Sequence, residues 1–235
     1  MSKTAYITGG SKGIGLGIAK AMLEEGMKVA ITGRNSDALK SAVQELNKIG
    51  KGEILAIESD VRNFESEKNA IEQVLEKWET LDVVIANAGV GKFAPIEEMS
   101  LEDWNSVIDI NLTGVFHTVK AAIPAIKESK GYIMTIASLA GTNFFQKGSA
   151  YNASKFGLVG FTQAIMMDLR KYGIKVTTIM PGSVATYFNG HIPSEEDSWK
   201  IQPEDIGQMV VDLLKMNPRT LPSKVEVRPS VPPSK

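Results

Sequence analysis

Short runs of β-branched and apolar residues alternate along the chain with longer stretches of helical period. The strand-like runs fall at 4–8, 28–32, 53–58, 82–86, 131–137, 174–180 and 224–228. Several are almost continuously apolar, Val83-Val84-Ile85-Ala86 among them, as expected of parallel strands buried on both faces. Between the runs, Ile14, Ile18, Ala21 and Met22 mark one apolar helical stripe, and Leu39, Val43 and Leu46 another. Seven alternations of strand and helix predict a single α/β domain over 1–235, doubly wound. Its seven-stranded parallel sheet should run in the order 3-2-1-4-5-6-7, with helices on both faces and right-handed crossovers. Two stretches break the pattern. Segment 186–202 carries Pro193 and an acidic run and reads as a loop or substrate lid, and the proline-rich tail at 229–235 is expected to fray. Pro124 falls inside a helical pattern from 101 to 128, where a kink is expected.

Composition narrows the chemistry. With 235 residues, 43% of them hydrophobic and 23% charged, the chain is an ordinary globular sequence with ample core. A net charge of -1 gives no electrostatic footprint for nucleic acid or an anionic membrane. The absence of cysteine excludes disulfides and thiolate chemistry, and two distant histidines, His117 and His191, offer no metal site. Ala5-Tyr6-Ile7 begins too early for a secretory leader, and no apolar run spans a bilayer, so cytoplasm is the default expectation.

The first strand leads directly into Thr8-Gly9-Gly10-Ser11-Lys12-Gly13-Ile14-Gly15, which opens the first helix. A turn pressed against a diphosphate needs residues without a Cβ, and the helix N-terminus behind it offers unpaired N–H groups. The plain alternative is a tight turn without a ligand; the strand-before, helix-after setting favours a dinucleotide. The second strand ends in Ile31-Thr32-Gly33-Arg34, without the acid that would select NAD through the ribose hydroxyls. Arg34 and Lys12 instead suit a 2′-phosphate, their other reading being solvated surface cations. The cofactor expected is therefore NADP(H). Asp60, after the third strand, is placed to bond the adenine or to cap the next helix.

Tyr151 and Lys155 stand four residues apart in a helical pattern, hence on one face. A free phenol titrates near 10, and a neighbouring ammonium is expected to lower that value. Ser138 ends the fifth strand at the carboxyl edge where ligands bind in such sheets, and its hydroxyl can donate to an oxygen gaining charge. Asn111 is an amide within the long helical pattern, and Asn87-Ala88-Gly89 follows the fourth strand at the same edge.

Together with Asp60-Val61 and Pro181-Gly182, in order and spacing, these motifs resemble the short-chain dehydrogenase/reductase family, a Rossmann-type fold, over nearly the whole chain. The resemblance implies that Tyr151 is the general acid in carbonyl reduction and the base in alcohol oxidation. It implies that Lys155 lowers the phenol's pKa and binds the nicotinamide ribose, that Ser138 positions the carbonyl, and that Asn111 holds a relay water. Pro181, Gly182, Val184 and Thr186 would contact the nicotinamide. Asn87 would mainly tie the central strands together. A homodimer or homotetramer, built on the helices of Asn111 and Tyr151, is also implied.

The alternatives inside the family are a 3-oxoacyl thioester reductase and a hydroxy-acid dehydrogenase; outside it, a non-catalytic NADP(H)-binding redox sensor. The last strand ends Val227-Arg228-Pro229, without the glycine-rich turn usual in the carrier-dependent ketoreductases. Phe144, Phe145, Tyr187 and Phe188 flank the expected site and either line it or pack its loops. His191 is a surface residue or a contact for a substrate carboxylate, and Glu195-Glu196-Asp197 reads as a solvated face.

Overall fold

Side-chain alternation on the first strand decides which helices go where. In β1 (Thr4–Thr8), Ala5 and Ile7 face one way and Tyr6 the other, and each belongs to a different hydrophobic cluster. A computed structural model describes residues 2–232. The other strands are β2 (Lys28–Gly33), β3 (Glu53–Glu58), β4 (Val83–Ala86), β5 (Tyr132–Ile136), β6 (Lys175–Pro181) and β7 (Lys224–Val227). All pair in parallel, in the order β3-β2-β1-β4-β5-β6-β7. Helices α1 (Gly13–Glu24), α2 (Ser36–Leu46) and α7 (Pro203–Lys215) cover one face, through Ile18, Met22, Leu39, Ile206 and Val210. Helices α3 (Phe64–Trp78), α5 (Gly114–Ser129) and α6 (Ser149–Leu169) cover the other, through Ile71, Val74, Val115, Ile126 and Leu158. A strand covered on both faces is apolar at every position, which is why β4 reads Val-Val-Ile-Ala.

Asparagine and serine caps start several of the helices. Asn35 accepts from the N–H of Ala38 and Asn63 from that of Ser66, while Ser100 opens α4 (Leu101–Ile108) by accepting from Asp103. The cap of α3 is therefore Asn63, three residues after Asp60, and the capping alternative for Asp60 is set aside.

The long helical pattern is interrupted ahead of Pro124. The break is a five-residue π-helical turn, Asp109–Thr113, between α4 and α5, and α5 continues through Pro124 to Ser129. Asn111 lies in that turn, fully buried. Segment 186–202 carries two short 3-10 turns, and a bridge between Val184 and Ile201 closes it at its base. Residues 229–232 form neither helix nor strand; the remainder of the expected frayed tail lies outside the described residues. Among the described residues no helix is long and apolar enough to cross a membrane, and no group of three metal-ligating side chains forms.

One charged residue of α3 is completely buried. Glu67 accepts hydrogen bonds from Ser59 (2.7 Å), Thr118 (2.7 Å) and Tyr6 (3.2 Å), yet burial still pushes its carboxyl above the ordinary value. The fold therefore favours the protonated acid. Its stabilising share is whole below the unfolded value of about 4.3 and is lost as pH rises through the raised folded value. Glu67→Gln is neutral at every pH and escapes that loss. The melting temperature of the variant, relative to the parent, should climb from acid to mildly alkaline pH; a difference flat with pH would refute the assignment.

Candidate active site

The carboxyl ends of β1 to β6 open onto one cavity of about 770 Å³. At its centre lies the glycine turn. Gly9 and Gly13 adopt positive φ of 65° and 56°, which a side chain would strain. A Cβ on Gly15 would stand 2.4 Å from the Gly9 carbonyl oxygen, so the turn closes only with glycine there. Lys12 precedes α1 without a side-chain cap bond, and no acidic residue occupies the first turn. The helix thus presents its orphan N–H groups and its positive end to the cavity, alongside Ser11, Lys12, Gly13 and Ile14. An anion fits this cradle.

At one end of the cavity, Arg34 and Asn35 follow β2, opposite Asp60 and Val61 after β3. Arg34 is exposed and its charge reaches Asp60. The Asp60 carboxylate accepts from the Arg62 guanidinium and from its backbone N–H, and these bonds hold its carboxyl below the usual range. An acid so neutralised does not cancel the positive charge of Arg34 and Lys12.

Tyr151, Lys155 and Ser138 meet at the other end. Tyr151 lies in the first turn of α6, and Lys155 follows one turn later with only 5% exposure. The lysine Nζ donates to the Ile136 carbonyl at 3.0 Å and stands 5.7 Å from the centre of the Tyr151 ring. Ser138 accepts from the Ala140 N–H and donates, at 3.4 Å, to the Pro181 carbonyl. The titration of this set departs from expectation. In the protein alone, burial pushes the Tyr151 phenol up, the Ser138 hydroxyl opposing it, and burial brings Lys155 down to about 8. The lysine does not lower the phenol here, because both side chains lose water and each is driven towards its neutral form.

Asn111 and Gly15 stand behind the cavity rather than in its lining. The Asn111 amide donates to the Val90 carbonyl (2.9 Å) and to Ser154 (3.1 Å), and its oxygen accepts from the Val90 N–H (2.8 Å). The widened π-helical turn projects this amide across the gap to the β4–α4 loop and ties it to α6. Asn87 does the same for the central strands, donating to the Thr8 and Gly9 carbonyls, with Ala88 and Gly89 beside it in the cavity wall. Pro181, Gly182, Val184 and Thr186 complete the wall after β6, and Thr186 packs over Gly13.

Segment 186–202 is organised by an acid read in the sequence as solvated. Glu195 and Glu196 are exposed, but Asp197 is buried. Its carboxylate accepts from Lys200, from His191 (2.6 Å) and from the Ser194 N–H (3.1 Å), and Lys200 first, then His191, hold it well below the usual range. His191 is thereby committed to the loop itself. The other histidine, His117, bonds the Val61 carbonyl and packs against Phe64, a structural contact.

Phe93 was not singled out by the sequence, and its ring lies 5.5 Å from that of Tyr151. Val90, Gly91 and Lys92 of the same loop also line the cavity. The loop has neither helical nor strand period, so only the presence of a large ring beside Gly91 marked it.

The family model of the short chain dehydrogenases matches residues 3–197. An uncharacterized oxidoreductase of Staphylococcus aureus strain MRSA252 is 32% identical over 228 residues, covering 97% of each chain. An alcohol dehydrogenase from the archaeon Thermococcus sibiricus, complexed with 5-hydroxy-NADP, superposes with a TM-score of 0.93 at 30% identity over all of both chains. A 3-ketoacyl-(acyl-carrier-protein) reductase from Brucella melitensis, complexed with NADH, superposes with a TM-score of 0.88 at 25% identity over 97% of both.

Proposed function

The chain belongs to the short-chain dehydrogenase family of oxidoreductases, and from that premise we propose that it reduces a ketone or aldehyde with NADPH, or oxidises the matching alcohol with NADP⁺. The observation that carries this reading is the pairing, in one cavity, of Tyr151, Ser138 and Lys155 with the uncapped helix end and the cation Arg34.

The glycine turn and the first N–H groups of α1 would hold the diphosphate, with Arg34 and Lys12 on the 2′-phosphate. Asp60 and Val61 would border the adenine. Asn87-Ala88-Gly89 and Lys155 would hold the nicotinamide ribose, and Pro181, Gly182, Val184 and Thr186 the nicotinamide. NADPH, when bound, supplies the hydride that the carbonyl carbon gains. Tyr151 gives its phenolic proton to the carbonyl oxygen, so one C=O becomes one alcohol. Ser138 donates a hydrogen bond to that oxygen as its charge grows. Burial makes the Tyr151 phenol a weaker acid in the protein alone. A charged Lys155 and the positive nicotinamide of the oxidised cofactor would lower that value towards the pH at which proton exchange is efficient. Asn111, fixed to Val90 and Ser154, would hold the water that returns the proton.

Exposed Phe116, Phe156 and Met167 on α5 and α6 support assembly of a second copy on these helices. A cytoplasmic setting agrees with the dependence on NADP(H). The reading is tested by offering a panel of ketones and aldehydes with NADPH and with NADH. Alcohol formation with NADPH is expected; a failure to reduce any carbonyl with either cofactor would overturn it.

A further inference from the structure

The surroundings of Tyr151 are more aromatic than proton transfer requires. Phe93 meets its ring edge-on at 5.5 Å, and Phe188 stands 5.6 Å from it. Phe93 in turn meets Phe188 at 6.4 Å and Phe145 at 5.8 Å. These rings come from three loops, after β4, β5 and β6, and the first two loops are tied by specific bonds.

The loop carrying Phe145 is fixed by Asn152, whose amide donates to the Ala140 and Asn143 carbonyls, both at 2.8 Å. The loop of Phe93 is tied to it by the Ala94 N–H, which donates to the Lys147 carbonyl at 3.0 Å. Phe188 enters from segment 186–202 and lies against Gly91. A Cβ there would fall 2.6 Å from the Phe188 ring and 3.0 Å from that of Phe93. Glycine at 91 is therefore the condition for the two rings to close over Tyr151.

Charge at this end points the same way. Among the described residues that line the cavity, Asp60 is the sole carboxylate, and it sits at the far end with Arg62. Lys92 borders the ring cluster but is paired with Asp103 at 3.2 Å. Neither a carboxylate nor an ammonium on the substrate would find an uncommitted partner beside Tyr151. An aromatic ring would find Phe188 in the cavity wall and Phe93 packed against it and Tyr151, since edge-to-face pairing adds to the apolar area buried.

We propose that Phe93 and Phe188, with Phe145 backing Phe93, are specificity-determining residues that select an uncharged carbonyl compound bearing an aromatic ring next to the carbonyl. This rests on the reductase reading above. The substrate ring packs edge-on against Phe93 and Phe188, which turns its carbonyl oxygen towards Tyr151 and Ser138. The bulk of Phe188 on a separately tethered segment makes it the ring that gives way as substrate enters.

The test compares acetophenone with cyclohexyl methyl ketone, which share a skeleton and differ in the ring. Binding to the NADP⁺-loaded protein is measured by calorimetry, where no reduction occurs, and kcat/KM is measured with NADPH. The parent should favour the aryl ketone by about tenfold in both, the size of a good edge-to-face contact. Phe93→Leu and Phe188→Leu should each bring that preference close to parity while leaving NADPH affinity unchanged. Equal binding of the two ketones by the parent, binding of neither, or an equal loss for both in the variants would overturn the proposal. The equal loss is what a purely structural role of the rings produces. Aryl-selective binding without turnover would refute the reductase reading and leave the selectivity standing.

Discussion

Tyr151→Phe is expected to lower the rate of carbonyl reduction by about 10³-fold, within the range for loss of a positioned general acid, while NADPH binds almost as before. The substitution removes one hydroxyl and keeps the ring. Its packing against Phe93 and Phe188, with centroids 5.5 and 5.6 Å away, is retained, so the fold of the site has no reason to change. The measurements are kcat on a reducible ketone and the NADPH dissociation constant by fluorescence titration. Activity within about tenfold of the parent would mean that the proton comes from elsewhere. The parent's pH profile carries a second sign. Burial brings Lys155 down to about 8, so its ammonium, near the phenol and the proposed cofactor site, is lost as pH rises through that value. Cofactor affinity of the free protein should weaken across the same window.

The second large effect concerns the cofactor. Arg34→Asp should lower the NADPH-to-NADH ratio of kcat/KM by about 10²-fold, because a charge-assisted bond worth roughly 1.5–3 kcal/mol is replaced by repulsion of the 2′-phosphate. The new carboxylate also gains the ribose hydroxyls of NADH as donors. Arg34 is exposed and makes no salt bridge within the described residues, and Asp60 keeps Arg62, so stability should be unaffected. An unchanged ratio would place the 2′-phosphate away from Arg34.

Much of the architecture was legible because burial on both faces leaves little freedom. β1 and β3 run over the residues read from the sequence. β4 begins one residue later than expected, although Asp82 bonds both neighbouring strands: its N–H donates to the Thr4 carbonyl and its carbonyl accepts from the Tyr132 N–H. The π-helical turn was not legible. Asp109–Thr113 contains nothing that widens a helix locally, and the bonds of Asn111 to Val90 and Ser154 are tertiary. Pro124, where a kink was expected, lies inside α5, which continues through it to Ser129.

That Ser138, Tyr151 and Lys155 would meet at the carboxyl edge of the sheet was legible from residue type and position. Their titration was not, because desolvation of Tyr151 and Lys155 depends on what closes over them. Phe93 escaped notice in a loop without period, and Asp197 was hidden by its acidic neighbours. Lys200, three residues on, was the available signal that one acid of the three is paired.

The proposed direct transfer of hydride from NADPH to the carbonyl carbon underlies every step assigned to Tyr151. It is tested most directly by the alcohol formed with NADPH deuterated at the nicotinamide C4, each epimer supplied in turn. The account predicts deuterium on the carbinol carbon with one epimer only. Alcohol that carries no deuterium with either epimer would contradict it.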